Sequence, residues 1–128
     1  VSGVLDGEAW RAYASAPPDG TPVIAASEVE TVRSVPVVSP RGEFPLLLVR
    51  VGAAVAAYVN ACPHQYLPLD YRGPQILSAD GARLLCTSHG AQYDAATGEG
   101  VAGVGLGCSL DPVPVHTDAD GLLRIGRA

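Results

Sequence analysis

The chain of 128 residues has the size of one domain, and a chain of that size buries roughly two-thirds of its unfolded surface, enough for a single core. A formal charge of −5 argues against a nucleic-acid backbone as partner and suits docking on a basic protein surface. Aromatic residues are only 5% against 48% hydrophobic, so the core is built mainly from Val, Leu, Ile and Ala, which favours strands over a large aromatic pocket.

Three cysteines cannot all pair, which gives no disulfide framework and points to a reducing, cytoplasmic setting. No apolar run approaches the ~20 residues that span a bilayer, so no membrane segment is expected. The chain contains no Met, and it is expected to be a processed form or part of a longer protein. All eight basic residues are Arg, a compositional bias to which no function attaches.

Residues 1–20 read as an N-terminal extension. Leu5, Ala9, Trp10 and Tyr13 have helical spacing, Asp6 suits an N-cap, and Pro17 and Pro18 end the helix and open a linker. This segment either packs one apolar face on the main domain or is a loose lead. From residue 21 onward the pattern is β. Val23 to Ala26 is a short strand, and Val32 to Val38 is an edge strand that tolerates Pro36. After a Ser39 to Gly42 turn, Pro45 to Val51 reads as a strand buried on both faces, and Ala53 to Asn60 completes a hairpin.

That hairpin leads into Cys62-Pro63-His64. A second hairpin, Gln75 to Leu77 and Arg83 to Leu85 about an Asp80-Gly81 turn, leads into Cys86-Thr87-Ser88-His89. Strands at Leu110 to His116 and Leu122 to Ile125 close the chain around an Asp-Ala-Asp-Gly turn. Gly98 to Gly103 matches a dinucleotide-binding glycine pattern by letter, but it follows a turn and does not open a helix.

Each of the two segments thus contributes one sulfur and one imidazole. Two Cys and two His also form a zinc set, and a zinc-dependent interaction module is a rival reading. Zinc modules, however, more often pair Cys with Cys and His with His, whereas one Cys and one His from each of two loops suits a [2Fe-2S] centre with two Cys on one iron and two His on the other. The continuation Gly90-Ala91-Gln92-Tyr93-Asp94-Ala95-Ala96-Thr97-Gly98 resembles the stretch after the second ligand pair in the Rieske iron-sulfur family.

The resemblance implies an all-β fold, a Rieske-type antiparallel β-sandwich over residues 21–128 with an inserted cluster-binding subdomain at about 60–107. It implies one [2Fe-2S] cluster held by Cys62, His64, Cys86 and His89, with the histidines as the exit for the electron. Gly90, Tyr93, Gln65 and Ser88 surround the ligands. The function implied is one-electron transfer from a flavin-containing reductase to a terminal oxygenase, by an electron-transfer component and not a stand-alone enzyme. The same resemblance admits a domain or small subunit of a larger redox enzyme.

Several positions depart from the family pattern. Respiratory members join an extra Cys in each ligand loop; here those positions are Leu67 and Ser88. Members of high potential place Ser two residues after the second His and Tyr two further on; here these are Ala91 and Tyr93, which implies an intermediate potential. Gln65 stands where many oxygenase subunits have Arg. The loop that usually covers the cluster with a proline is here Gly103 to Gly107, without one. Of the remaining residues, Cys108 is expected to be a buried spare thiol and His116 a surface histidine. The apolar set Tyr66, Leu67, Leu69 and Tyr71 is expected to pack beneath the site rather than to dock a partner.

Overall fold

The computed structural model describes residues 9–61, 68–73, 75–87, 90–103 and 108–127. It divides into two compact units, Val1–Val59 with Asp111–Ala128, and Asn60–Leu110.

The first unit holds two three-stranded antiparallel sheets. In one, β2 (Val32–Ser39), β3 (Gly42–Val51) and β4 (Ala54–Val59) form a meander with β3 in the centre. The four consecutive residues Leu46, Leu47, Leu48 and Val49 have no exposed surface, so both faces of β3 are covered, as the continuous apolar run requires. Pro36 lies on β2, at the edge of this sheet, where a missing N–H costs no ladder bond on the open side. Gly52 turns β3 into β4 at φ +61°, a value unfavourable for any residue with a Cβ.

In the other sheet β1 (Pro22–Ala25) pairs with β9 (Leu122–Ile125), which pairs with β8 (Val115–Thr117). The strand read from the sequence at Leu110 to His116 is confined to its last part. Pro112 and Pro114 have no N–H to give a ladder, and only single contacts form: Val59 N–H donates to Asp111 O and Val113 N–H to Ala57 O, both 2.9 Å, along the free edge of β4. His116 is half-buried at its expected strand end, with Nδ1 2.8 Å from Gly126 O.

Arg50, near the end of β3, binds three carbonyls of the first unit. Its Nε donates to Val29 O at 3.0 Å, its Nη2 to Ala26 O at 2.6 Å and its Nη1 to Ala53 O at 3.4 Å. The turn after β1 is thereby tied to the β2–β4 sheet.

The N-terminal segment packs on this unit, although no long helix forms in its described part. Ala9–Ala12 make a single 3-10 turn that buries Trp10 completely. Trp10 and Tyr13 both meet Phe44 edge-on, with centroids 6.2 and 5.9 Å away, and the Arg11 guanidinium lies 4.4 Å from the Trp10 ring. Among the described residues no helix is long and apolar enough to cross a membrane.

The turn between β8 and β9 is organised by Asp118. One carboxylate oxygen accepts from the backbone N–H of Asp120 and Leu122, and the other from Arg124 Nε at 2.9 Å. Arg124 first, then these amides, hold the Asp118 carboxyl below its usual value. A carboxyl depressed in the folded state contributes stability above its ordinary value of 3.8, and that contribution disappears as pH falls through the folded value. Asp118→Asn is therefore expected to melt below wild type at pH 7, with the gap closing in acid. Asp111 acts in the opposite sense, since burial raises it against the bond from Tyr13. The difference between variant and wild type, not the acid stability itself, is the measurement that checks Asp118.

Candidate metal centre

The second unit, Asn60–Leu110, carries the sheet β5 (Arg83–Leu85), β6 (Gln92–Asp94) and β7 (Gly100–Ala102). The glycine pattern at 98–103 is thus strand in part, which disposes of the dinucleotide reading. β5 follows a turn built by its side chains: Ser78 Oγ donates to Asp80, and Asp80 and Ser78 accept from the amides of Ala82 and Arg83. The Ser78 hydroxyl, followed by the Ala82 amide, lowers the Asp80 carboxyl below its usual value. The partner segment Gln75 to Leu77 forms one bridge, Leu77 with Leu84, and not a full strand.

Cys86 is the residue after β5, and the connection from β5 to β6 contains the second Cys-and-His segment. Cys86 is only 1% exposed. Its N–H donates to Ala91 O at 2.9 Å, and Gly90 N–H donates to Cys86 O at 2.8 Å, which closes the loop at its root. Gly90 has φ +71°, and a Cβ there would meet nothing within 4 Å. Its backbone conformation, not close approach, is what requires glycine. Gly103, just after β7, lies against this root: its ideal Cβ would be 3.2 Å from Gly90 O.

Tyr93, opposite Leu84 in the β5–β6 ladder, is fully buried. The Asp94 to Gly98 stretch is a turn. Asp94 Oδ1 accepts from Ala96 and Thr97 N–H, and Gly98 N–H donates to Asp94 O at 2.7 Å. These side chains shape the β6–β7 connection.

The described residues on either side of the first Cys-and-His segment are bonded to each other. Asn60 precedes it and is 4% exposed; its Oδ1 accepts from Leu69 N–H at 2.9 Å. Leu69 O in turn accepts from the backbone N–H of Thr87 at 2.9 Å and from its hydroxyl at 2.6 Å. The residue after Cys86 is thus bonded to the exit of the segment that carries Cys62 and His64. Leu69 is buried while Tyr71 is 61% exposed, so the apolar set read from the sequence divides: Leu69 packs inward and Tyr71 does not. Tyr66 and Leu67 lie outside the described residues, as do Cys62, His64, Gln65, Ser88 and His89.

Cys108 is exposed and free, contrary to the buried thiol expected. It sits where the chain leaves the glycine stretch, with its carbonyl accepting from Gly100 N–H at 2.9 Å, and only its backbone is drawn into the sheet. The sequence reading also passed over Asn60 and Thr87. An Asn closing an apolar strand directly before a ligand motif was the available signal for the first; nothing in the sequence marks Thr87.

Among the described residues, the surroundings of Cys86 suit a cofactor that needs thiolates shielded from water. This thiol is almost fully buried at the root of a closed loop, Gly103 lies against that root, and Thr87, next to Cys86, is bonded to Leu69 beyond the first Cys-and-His segment.

The Rieske [2Fe-2S] domain family matches residues 20–108. No curated protein matches. Among solved structures, a chain from a complex of reduced oxygenase and oxidized ferredoxin in carbazole 1,9a-dioxygenase is 26% identical, with TM-score 0.62, over 83% of this chain and 92% of that one. The Sphingomonas yanoikuyae B1 ferredoxin matches at TM-score 0.65 and 24% identity over 86% of this chain and all of its own, which shows the fold. The terminal oxygenase of carbazole 1,9a-dioxygenase from Novosphingobium sp. KA1 matches at TM-score 0.65 and 25% identity, over 94% of this chain but 34% of its own. The all-β fold and the [2Fe-2S] cofactor stand, and the zinc reading is set aside. With more than half of its length matched, across both Cys-and-His segments, the chain belongs to the Rieske [2Fe-2S] domain family.

Proposed function

We propose that this chain, a one-electron carrier with one [2Fe-2S] cluster, holds the cluster through Cys62 and Cys86 on one iron and His64 and His89 on the other, and delivers electrons to a terminal oxygenase. What supports the ligand assignment is the Rieske family match across both Cys-and-His segments, and the structure adds a bond between their described flanks: Thr87, next to Cys86, donates twice to Leu69, and Leu69 N–H donates to Asn60 ahead of Cys62. Residues 60–107 serve as the cluster-binding subdomain, and residues 21–128 as the Rieske domain that contains it.

When bound, the cluster accepts and releases a single electron, and two neutral imidazoles in place of thiolates raise its potential from about −400 mV towards −150 to +300 mV. The protein supplies orientation and a dry setting. Cys86 is withdrawn from solvent, and Tyr93, wholly buried two residues beyond Ala91, would offer a hydroxyl donor in this reading. Gln65 and Ser88 complete the surroundings of the ligands in this reading.

The partner assignment rests on the similarity to a chain of an oxygenase–ferredoxin complex, which extends over 92% of that chain. A flavin-containing reductase is the proposed source of the electron, and the net charge of −5 suits a basic docking face on either partner. An exposed free thiol at Cys108 suits a reducing, cytoplasmic setting. A second reading, the same domain as part of a larger redox enzyme, is favoured by the match to one third of a terminal oxygenase. A longer native reading frame would decide for it.

The electron-paramagnetic spectrum of the dithionite-reduced protein tests the ligand set. A signal of mixed Cys and His ligation with two irons and two sulfides per chain is expected; an all-thiolate signal would overturn it. Tyr93→Phe is expected to lower the potential, by about 60 mV for each roughly 1.4 kcal/mol by which the hydroxyl favours the reduced form. An unchanged potential removes Tyr93 from the account.

A further inference from the structure

We infer that Thr87, with Asn60, is a positioning residue: its hydroxyl clamps Leu69, so that the chain just beyond the first Cys-and-His segment is held to the residue after Cys86 and the Cys86 sulfur keeps a fixed direction. The inference rests on the ligand assignment proposed above.

Both backbone polar groups of Leu69 are engaged. Its N–H donates to Asn60 Oδ1 at 2.9 Å, and its C=O receives the Thr87 N–H at 2.9 Å and the Thr87 hydroxyl at 2.6 Å. The hydroxyl also accepts from Arg72 N–H at 3.0 Å, so its proton and a lone pair are both assigned and its orientation is fixed. Asn60 Nδ2 reaches Asp70 Oδ1 at 3.3 Å, and the segment that follows is turned tightly by Tyr71 N–H to Pro68 O and Gly73 N–H to Asp70 O.

Asn60 is the one buried polar side chain among the described residues. A buried amide is retained at a cost unless its bonds are made, and here a peptide that flanks a ligand segment takes one of them. Thr87 is adjacent to Cys86, whose own backbone closes the loop on Ala91 and Gly90. A rotation at residue 87 therefore has to move either the Cys86 sulfur or the exit of the first segment. Groups outside the ligand set that orient the ligands in this way tune a metal centre without touching it.

Isosteric Thr87→Val removes both hydroxyl bonds and keeps the bulk, and Thr87→Ser keeps both bonds. Reduced-state paramagnetic spectra and the rate of cluster loss to an iron chelator are measured on the loaded protein, with thermal unfolding alongside. Thr87→Val is expected to shift or broaden the g-values and to lose its cluster roughly tenfold faster, as loss of one to two hydrogen bonds implies. Thr87→Ser is expected to restore both readouts. Asn60→Ala is expected to produce the same kind of change, and its combination with Thr87→Val to add less than the two single effects, since both act on Leu69.

Wild-type spectra and loss rates in Thr87→Val overturn the inference, and so does a failure of Thr87→Ser to restore them. If Thr87→Val takes up no cluster, loading of Thr87→Ser supports the clamp, and equal failure of both counts against it. A wild type without the mixed-ligand signal would instead sink the ligand assignment.

Discussion

Replacing Cys86 by Ser is expected to yield a colourless protein with iron and acid-labile sulfide near zero, while the far-ultraviolet circular dichroism stays that of a β protein. The thiol is 1% exposed at the root of the β5–β6 connection, and a serine hydroxyl there offers neither the charge nor the softness that an iron-sulfur centre draws from thiolate. The described bonds at the root do not use the sulfur. The root is closed by backbone bonds from Cys86 and Gly90 and braced by Thr87 on Leu69, all of which serine leaves in place. Full retention of iron and sulfide in Cys86→Ser would remove Cys86 from the ligand set. Cys108→Ser serves as the control: the thiol is exposed and free, and its loss is expected to leave iron, sulfide and spectrum unchanged.

The parts of this molecule that were legible in the sequence are those in which local pattern and tertiary role coincide. The apolar run at Leu46 to Val49 is legible as a central strand because it is short, is ended by Gly52 and, once extended, buries all four residues only if both faces are covered. Asp118 to Gly121 forms its turn through bonds from its own Asp side chain, all within a few residues. Long-range features were hidden. Pro112 and Pro114 cut the strand drawn at Leu110 to His116, because the segment bonds β4 singly instead of through a ladder. Cys108 was judged by its type, which is usually buried, but its place at the end of a glycine stretch leaves it in solvent. The site shows the same division: four Cys and His letters and their continuation suggested the cofactor, yet the Asn60–Leu69–Thr87 joint connects residues far apart in the chain and leaves no periodic or motif trace.

Trp10→Ala is expected to be the most destabilising single substitution outside the metal centre. Trp10 is fully buried against Phe44 and is the only Trp of the chain, so its loss removes a large apolar side chain and leaves a cavity that a single 3-10 turn cannot fill. Trp-to-Ala changes in cores cost about 3–5 kcal/mol, a large part of the roughly 5–15 kcal/mol that holds a domain together. For a chain of this size that corresponds to a fall in melting temperature of roughly 10–20 °C. The exposed ion pair next to it provides the contrast. Arg11 and Asp19 meet at 3.0 Å, but their side chains are 42% and 62% exposed, and breaking such a pair costs about 0–1 kcal/mol. Arg11→Ala should thus lower stability slightly, mainly through its stacking on the indole. Wild-type fluorescence gives an independent check, since a buried Trp10 emits at short wavelength and shifts red on unfolding. If the segment were a loose lead, Trp10→Ala would change the melting temperature by no more than an ordinary surface substitution, and the emission of the folded protein would already be that of an exposed indole. The packing of Trp10 and Tyr13 on Phe44 leads to the opposite expectation: the first described residues belong to the fold of this unit, and its stability cannot be had without them.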